Sequence, residues 1–294
     1  MSARPVLRRG HIGGWVRRLQ EALLEAGFDP GQVDENFGGI TEQAVLDFQE
    51  SSGLEVDGVV GPMTWDALGV AESEDDPHPG PDDTPAPSVE DWVAVDGDER
   101  MRSVMSLLVE QYGFPANGAA GIVGNLWAES GVLPHRIEGS SSATPMRARD
   151  FAGNTVDFTA EEIRDRDRSA ELGPALPGVG LAQWTSSGRR AGLFEHSYGG
   201  QVLGANVLFS VEAQVDYLVQ EMQSSYVRVH QVLNDPDVTV DDASDEVVYS
   251  FEVPGSVLEG GTKLPRTDQR VQQTFEARRA HSQRAREAFA ANQP

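Results

Sequence analysis

Glu129 is the residue of this 294-residue chain whose surroundings point most directly to chemistry. It closes the segment GAAGIVGNLWAES, which carries no other charge, and it lies seven positions after Ile122 and three after Leu126. In a helix those positions share one face. A carboxylate there is partly desolvated, which raises its pKa towards that of a general acid at neutral pH, and the negative end of the helix dipole pushes the same way. A proton held ready for a leaving oxygen is what cleavage of a glycosidic bond requires. One residue alone also allows the plainer alternative of a Glu exposed at a fraying helix end. The sequence does not choose a partner for it among Glu138, Asp150, Asp157, Asp165, Asp167 and Glu171, nor does it give the carboxyl separation that distinguishes retaining from inverting chemistry.

Other chemistries find fewer residues to work with. The six histidines are scattered without HExxH or comparable spacing, and neither a G-x-S-x-G elbow nor a Walker loop occurs. Cysteine is absent, so disulfides, thiol nucleophiles and Cys-containing zinc sites are excluded. No cofactor or metal is implied. The net charge of −24 opposes binding to a nucleic-acid backbone. No apolar run is long enough to span a membrane, and MSARPVLRRG is not followed by the apolar core of a signal peptide.

The elements that must position Glu129 read as helices. Met101, Val104, Met105, Leu108 and Tyr112 form one stripe, with Gly113 just past its end. The next helix starts after Asn117, an N-cap residue type, and stops at Gly131. Helical spacing recurs at Val211, Val215, Leu218 and Met222 and at Ala243, Val247 and Phe251, and a polar amphipathic helix closes the chain from about Thr267. Residues 132–178, rich in Ser, Gly, Pro and charge, form a long irregular segment of the kind that carries function.

The length favours two folded units. Between them, residues 71–98 hold ten acidic residues, many prolines and no Lys or Arg, the composition of an extended spacer. Upstream, residues 33–45 align without gaps to residues 56–68 in the frame V-D-x-x-x-G-x-x-T-x-x-A-(V/L). Each copy reads as a turn made by Asp and Gly, then a Thr that caps a short helix. With Ile12, Val16, Leu19 and Leu23 on a preceding helix ended by Gly27, the first 70 residues make a three-helix bundle.

With LRRG, VRRLQEAL, VDENFG, AVLDFQ and GLEVDGVVGPMTWDAL in order, residues 5–69 resemble the peptidoglycan-binding domain type 1, a three-helix cell-wall module. Glu35 and Gly39 stand where that family usually has Gly and Pro. The resemblance implies wall binding, with Asp34, Thr41, Asp57, Thr64 and Trp65 as its candidate residues, each of which can instead simply build turns and caps.

GIVGNLWAESG, then GVGLAQWTSSGRR, then FEVPG resemble the phage tail lysozyme family and, more distantly, goose-type lysozymes and lytic transglycosylases. This resemblance implies that Glu129 is the catalytic acid, that Gly180, Leu181 and Gln183 belong to the glycan cleft, and that Tyr249 and Phe251 lie near its other wall. Gln183 can bond an acetamido group or position a water, and Trp184 either offers its face to a sugar ring or belongs to the core.

The expected architecture is therefore mainly α: a wall-binding bundle over 1–70, an acidic Pro-rich linker over 71–98, and a larger lysozyme-like α (α+β) domain over 99–294. The expected function is a peptidoglycan hydrolase of muramidase type. A lytic transglycosylase and a non-catalytic wall-binding component of a phage-tail-like particle are the alternatives. The expected partners are peptidoglycan and, for a particle-borne protein, tail or contractile-injection proteins, with neither nucleic acid nor membrane among them. Without a signal peptide the chain is expected to reach the wall after lysis, as an endolysin, or on a particle.

Overall fold

The computed structural model describes residues 4, 6–8, 14–33, 37–70, 89–168 and 172–291. The chain divides into two units, Met1–Asp91 and Trp92–Pro294, each with its own apolar core.

The smaller unit holds α1 (Gly14–Glu25), α2 (Gly39–Ser52) and α3 (Pro62–Ala67). Val16, Leu19, Leu23, Val45 and Val60 are closed off from solvent, and Trp15 meets Trp65 edge to face with ring centroids 5.8 Å apart. The internal repeat appears as two equivalent hydrogen bonds. Gln20 Nε2 donates to Thr41 Oγ1 at 3.2 Å, and Gln49 Nε2 donates to Thr64 Oγ1 at 3.4 Å. Each hydroxyl then donates to a loop carbonyl, Thr41 to Pro30 and Thr64 to Val59.

The threonines are thus not the caps that the sequence suggested. Gly38 and Gly61 occupy the cap positions with Pro62 opening α3, and both threonines lie buried inside the first turn, where a buried Gln needs an acceptor. Trp65 is fully buried, so it builds the core and has no face for a ligand. Asp57 shapes its turn, accepting from Val59 N at 2.8 Å and from Gln49 Nε2 at 2.9 Å. Asp34 lies outside the described residues.

Helix α4 (Val89–Ala94) crosses the division, and the larger unit continues with α5 (Gly97–Ser106), α6 (Ala116–Ser130), the antiparallel hairpin β1 (Arg147–Arg149) and β2 (Thr155–Asp157), α7 (Ala160–Asp165), α8 (Ser187–Glu195), α9 (Val211–Ser225), α10 (Val227–Leu233), α11 (Val240–Glu246) and α12 (Gln269–Ala290). It begins earlier than composition implied. Trp92 is buried in its core and donates from Nε1 to Val132 O at 2.6 Å, while Asp96 caps α5 by accepting from Asp98 N at 2.8 Å. The last seven residues of the expected spacer, 92–98, therefore belong to this unit, with Asp96 and Asp98 serving a helix start. Residues 71–88 lie outside the described residues.

Helix α6 is the centre of the unit, with α5, α11 and α12 packed around it. Close approach is possible because Gly124 has no side chain: a Cβ there would fall 2.3 Å from Ser282 N and 2.4 Å from Ser282 Cα on α12. Helix α6 starts one residue before Asn117, whose side chain donates to Val238 O at 3.0 Å and is no cap. It ends as the sequence indicates, at Gly131 with φ +68° and its N–H bonded to Trp127 O at 2.8 Å. Helix α11 runs directly into a π-helical turn, Val247–Glu252.

Candidate active site

A cleft of about 440 Å³ opens where four segments meet: the end of α6, residues 136–139, residues 182–189 and residues 252–255. Glu129, Arg136, Glu138, Gln183, Arg189 and Glu252 supply its polar lining. The second and third segments are laced together. Glu138 N donates to Gly178 O and Gly180 N to Arg136 O, both at 2.8 Å, and Val179 and Trp184 pair across the tight turn between them. Gln183 locks this turn by donating through Nε2 to Arg136 O and Gly180 O, each at 3.0 Å, which leaves its Oε1 free as an acceptor.

Backbone strain collects here. The non-glycine residues with positive φ among the described residues are Val132 (+57°), Gln183 (+45°) and Val253 (+50°). Gln183 and Val253 line the cleft, and Val132 directly follows the glycine that ends the Glu129 helix. A β-branched residue in this region is a costly conformation, retained where the surroundings over-determine it. The π-helical turn that delivers Glu252 belongs to the same pattern, because such turns recur at functional sites.

Glu129 and Glu252 are the carboxyl groups at the end of α6 and at the end of the π-helical turn. Arg278 of α12 forms an ion pair with Glu129 and has the same guanidinium nitrogen 3.6 Å from Glu252 Oε2. The two carboxyls differ in exposure: the Glu129 side chain is 23% accessible and the Glu252 side chain 5%. Burial, the negative charge of Glu129 and a hydrogen bond to it push the Glu252 carboxyl well above the usual range, to about 8, against the opposing pull of Arg278 and Arg189. Arg189 is held in place by Glu221 through bonds of 2.6 and 2.8 Å and lies 4.7 Å above the Phe251 ring. Arg136 has no carboxylate partner among the described residues and presents positive charge to the cleft.

Of the residues expected from sequence, Glu129 and Gln183 line the cleft. Gly180 and Leu181 support it from beneath: Gly180 has φ +77°, and Leu181, fully buried, donates from its N–H to Gln214 Oε1 at 2.8 Å. Trp184 offers no face to a sugar ring, because it is completely buried, with Nε1 donating to Glu221 Oε2 at 3.0 Å. Tyr249 bonds Leu264 O at 2.7 Å beside Phe275, and Phe251 is buried against Tyr226, so neither lines the cleft.

Among the acids weighed as partners of Glu129, Glu138 reaches the cleft, where its Oε2 accepts from Gly178 N at 3.0 Å. Asp157, Asp165 and Asp167 pair with arginines, Asp150 closes a turn onto Asn154, and Glu171 lies outside the described residues. Sequence reasoning did not single out Glu252, Arg278, Arg189 or Arg136. The one available signal was F-E-V-P-G, whose glutamate is Glu252.

The larger unit is thus mainly helical, with a cleft in which two carboxyl groups face one arginine. Residues 99–291 match the family described as phage tail lysozyme, and residues 13–68 match the peptidoglycan binding domain. The chain belongs to the phage tail lysozyme family and carries a peptidoglycan binding domain ahead of it. Among curated proteins, the N-acetylmuramoyl-L-alanine amidase CwlL of Bacillus licheniformis is 38% identical over 65 residues, covering 21% of this chain and 18% of that protein. A spore cortex-lytic enzyme of Bacillus cereus is 44% identical over 63 residues, covering 21% of this chain and 24% of that protein. The chain thus spans a quarter or less of the length of these two relatives. The crystal structure of a Burkholderia AP3 phage endolysin aligns with 98% of this chain and 100% of that chain at 15% identity, with a TM-score of 0.27, too loose a superposition to bear on the fold. No helix of the described residues is long and apolar enough to cross a membrane.

Proposed function

We propose that the chain is a cell-wall hydrolase that cuts the glycan strand of peptidoglycan, a muramidase in which Glu129 is the general acid. The observation that carries this reading is the Glu129 carboxyl lining the cleft in an ion pair with Arg278, with the buried Glu252 carboxyl facing the same guanidinium nitrogen. In the reaction, Glu129 gives a proton to the bridging oxygen between two sugars, the bond from that oxygen to the anomeric carbon breaks, and water completes the substitution and returns a proton to Glu129. Gln183 Oε1 accepts from an acetamido N–H or holds that water, and Arg136 receives an anionic group of the substrate. Intramolecular attack by a muramic 6-hydroxyl in place of water gives the lytic transglycosylase outcome.

The smaller unit tethers the enzyme to its insoluble substrate and so raises its local concentration there. Delivery follows either release by lysis, as for an endolysin, or carriage on a phage-tail-like particle. The test is clearing of purified peptidoglycan by the wild type and Glu129→Gln, with mass analysis of the products. Clearing by the wild type alone, giving reducing ends, supports the muramidase; anhydro ends identify the transglycosylase; equal clearing by both removes Glu129 from the mechanism. Inactivity of both with wall binding intact favours a structural wall-binding component.

A further inference from the structure

We infer that Glu252 is the proton partner of Glu129, a second carboxyl group that charges the acid of the glycan cleavage; the inference rests on the reading of the cleft given above. A general acid needs a proton to give, yet the contact that Glu129 makes with Arg278 is the ion pair of a carboxylate. The proton must therefore be held beside it. Glu252 is the group built to hold it. Its side chain is 5% accessible, and its Oε2 is buried and accepts no hydrogen bond from a donor among the described residues, with Arg278 no closer than 3.6 Å. Two anionic carboxylates sharing one guanidinium would leave a buried charge uncompensated, whereas one proton between them brings the trio to neutrality.

The charged groups around Glu252 are Glu129 from α6, Arg278 from α12 and Arg189 from α8, with Arg136 and Glu138 further along the same cleft. Arg189 is already neutralised by Glu221 with two short bonds, and Glu138 accepts from a backbone N–H, so neither supplies the missing proton. Both carboxyls face one guanidinium nitrogen of Arg278, which holds them side by side in the cleft. Glu252 is on the same side as Glu129 and acts through it, as a positioning residue.

The proton balance is closed. Glu252 passes its proton along the hydrogen bond to Glu129 as Glu129 protonates the leaving oxygen. The water that attacks the anomeric carbon loses a proton to Glu129, and the pair returns to its resting state with one proton. Neither oxidant nor co-reactant is needed.

The experiment compares the full-length wild type with Glu252→Gln, Glu252→Asp and Glu129→Gln, measuring kcat and KM on purified peptidoglycan across pH. Folding is followed by circular dichroism. Glu252→Gln keeps the shape and a hydrogen-bond donor but has no transferable proton, so kcat falls by about 100-fold or more with KM little changed. Glu252→Asp recovers part of the rate with a displaced alkaline limb. Wild-type turnover and an unchanged alkaline limb in Glu252→Gln, beside an inactive Glu129→Gln, overturn the inference alone. Activity surviving in Glu129→Gln overturns the reading it rests on. A substrate-free readout comes from carbon-13 NMR of glutamate carboxyls: one resonance titrates well above the usual range, disappears in Glu252→Gln and moves to lower pH in Glu129→Gln. Absence of any such resonance in the wild type also overturns the inference.

Discussion

Arg278 and Glu129 stand 149 residues apart in the sequence and form a direct ion pair in the fold. The last helix thereby fixes the functional end of the central one. Arg278 is also bonded to Asn125 O at 3.2 Å, so its guanidinium is tied to α6 twice.

Replacing Arg278 with Met removes the counter-charge but keeps the side-chain bulk. The expected cost is about 2–3 kcal/mol, below that of a fully buried pair because Glu129 remains partly exposed. Urea denaturation of the variant checks this, and an unchanged midpoint would show that α12 does not depend on the pair.

Stability should depend on pH through Glu252. Its carboxyl keeps a proton up to about 8 in the folded chain and releases it near 4.5 when unfolded. Between those values the folded state binds the extra proton, so this contribution is complete below the window and fades as pH rises through it. Glu252→Gln lacks the dependence. The wild type should lose several kcal/mol relative to the variant across the window, an upper bound for so closely paired a group. Thermal midpoints that run parallel at every pH would contradict the burial of this acid.

Trp184→Phe distinguishes a core tryptophan from a sugar platform. The loss is one hydrogen bond to Glu221, whose carboxylate still grips Arg189, together with the cavity left by the smaller ring in a fully buried site, so the expected destabilisation is about 2–3 kcal/mol. KM for peptidoglycan should stay within twofold. A tenfold rise in KM without loss of stability would restore the sugar-stacking role.

In the smaller unit the sensitive position is Gln49. Its Oε1 accepts from Asp57 N and Gly58 N, and its Nε2 donates to Asp57, Val59 and Thr64. Gln49→Leu orphans several of these groups at once and should cost about 3 kcal/mol. Calorimetry of the whole chain should show the transition of that unit shifted and that of the larger unit unmoved.

Helix α6 and Glu129 were legible because local rules settle them: an uncharged apolar run, a glycine stop and a lone acid on the inner face. Glu252 was not, although its motif was noticed. Its burial comes from α6, α8 and α12 closing over it, and no spacing within F-E-V-P-G encodes that. The threonines of the repeat misled for the opposite reason. A Thr before a short helix is a good local cap, but glycines took the cap positions and turned Thr41 and Thr64 towards buried glutamines. Trp184 stands next to Gln183 in sequence, and the strained turn at Gln183 directs one side chain to the cleft and the other into the core. Trp92, the aromatic residue in an acidic stretch, was the sign that the larger unit begins before the spacer composition ends.

The left-handed residues Val132, Gln183 and Val253 have a consequence for how this lineage can adapt. Glycine at 132 or 253 would relieve about 1 kcal/mol or more of strain but would give up the packing of the fully buried Val132 or the partly buried Val253, so selection for heat tolerance gains nothing at these positions. The same substitutions would loosen the backbone that aims Glu129 and Glu252. Heat-adapted descendants should therefore gain robustness elsewhere and keep the two valines, while forms that no longer need Glu129 and Glu252 aimed into the cleft should be free to exchange them.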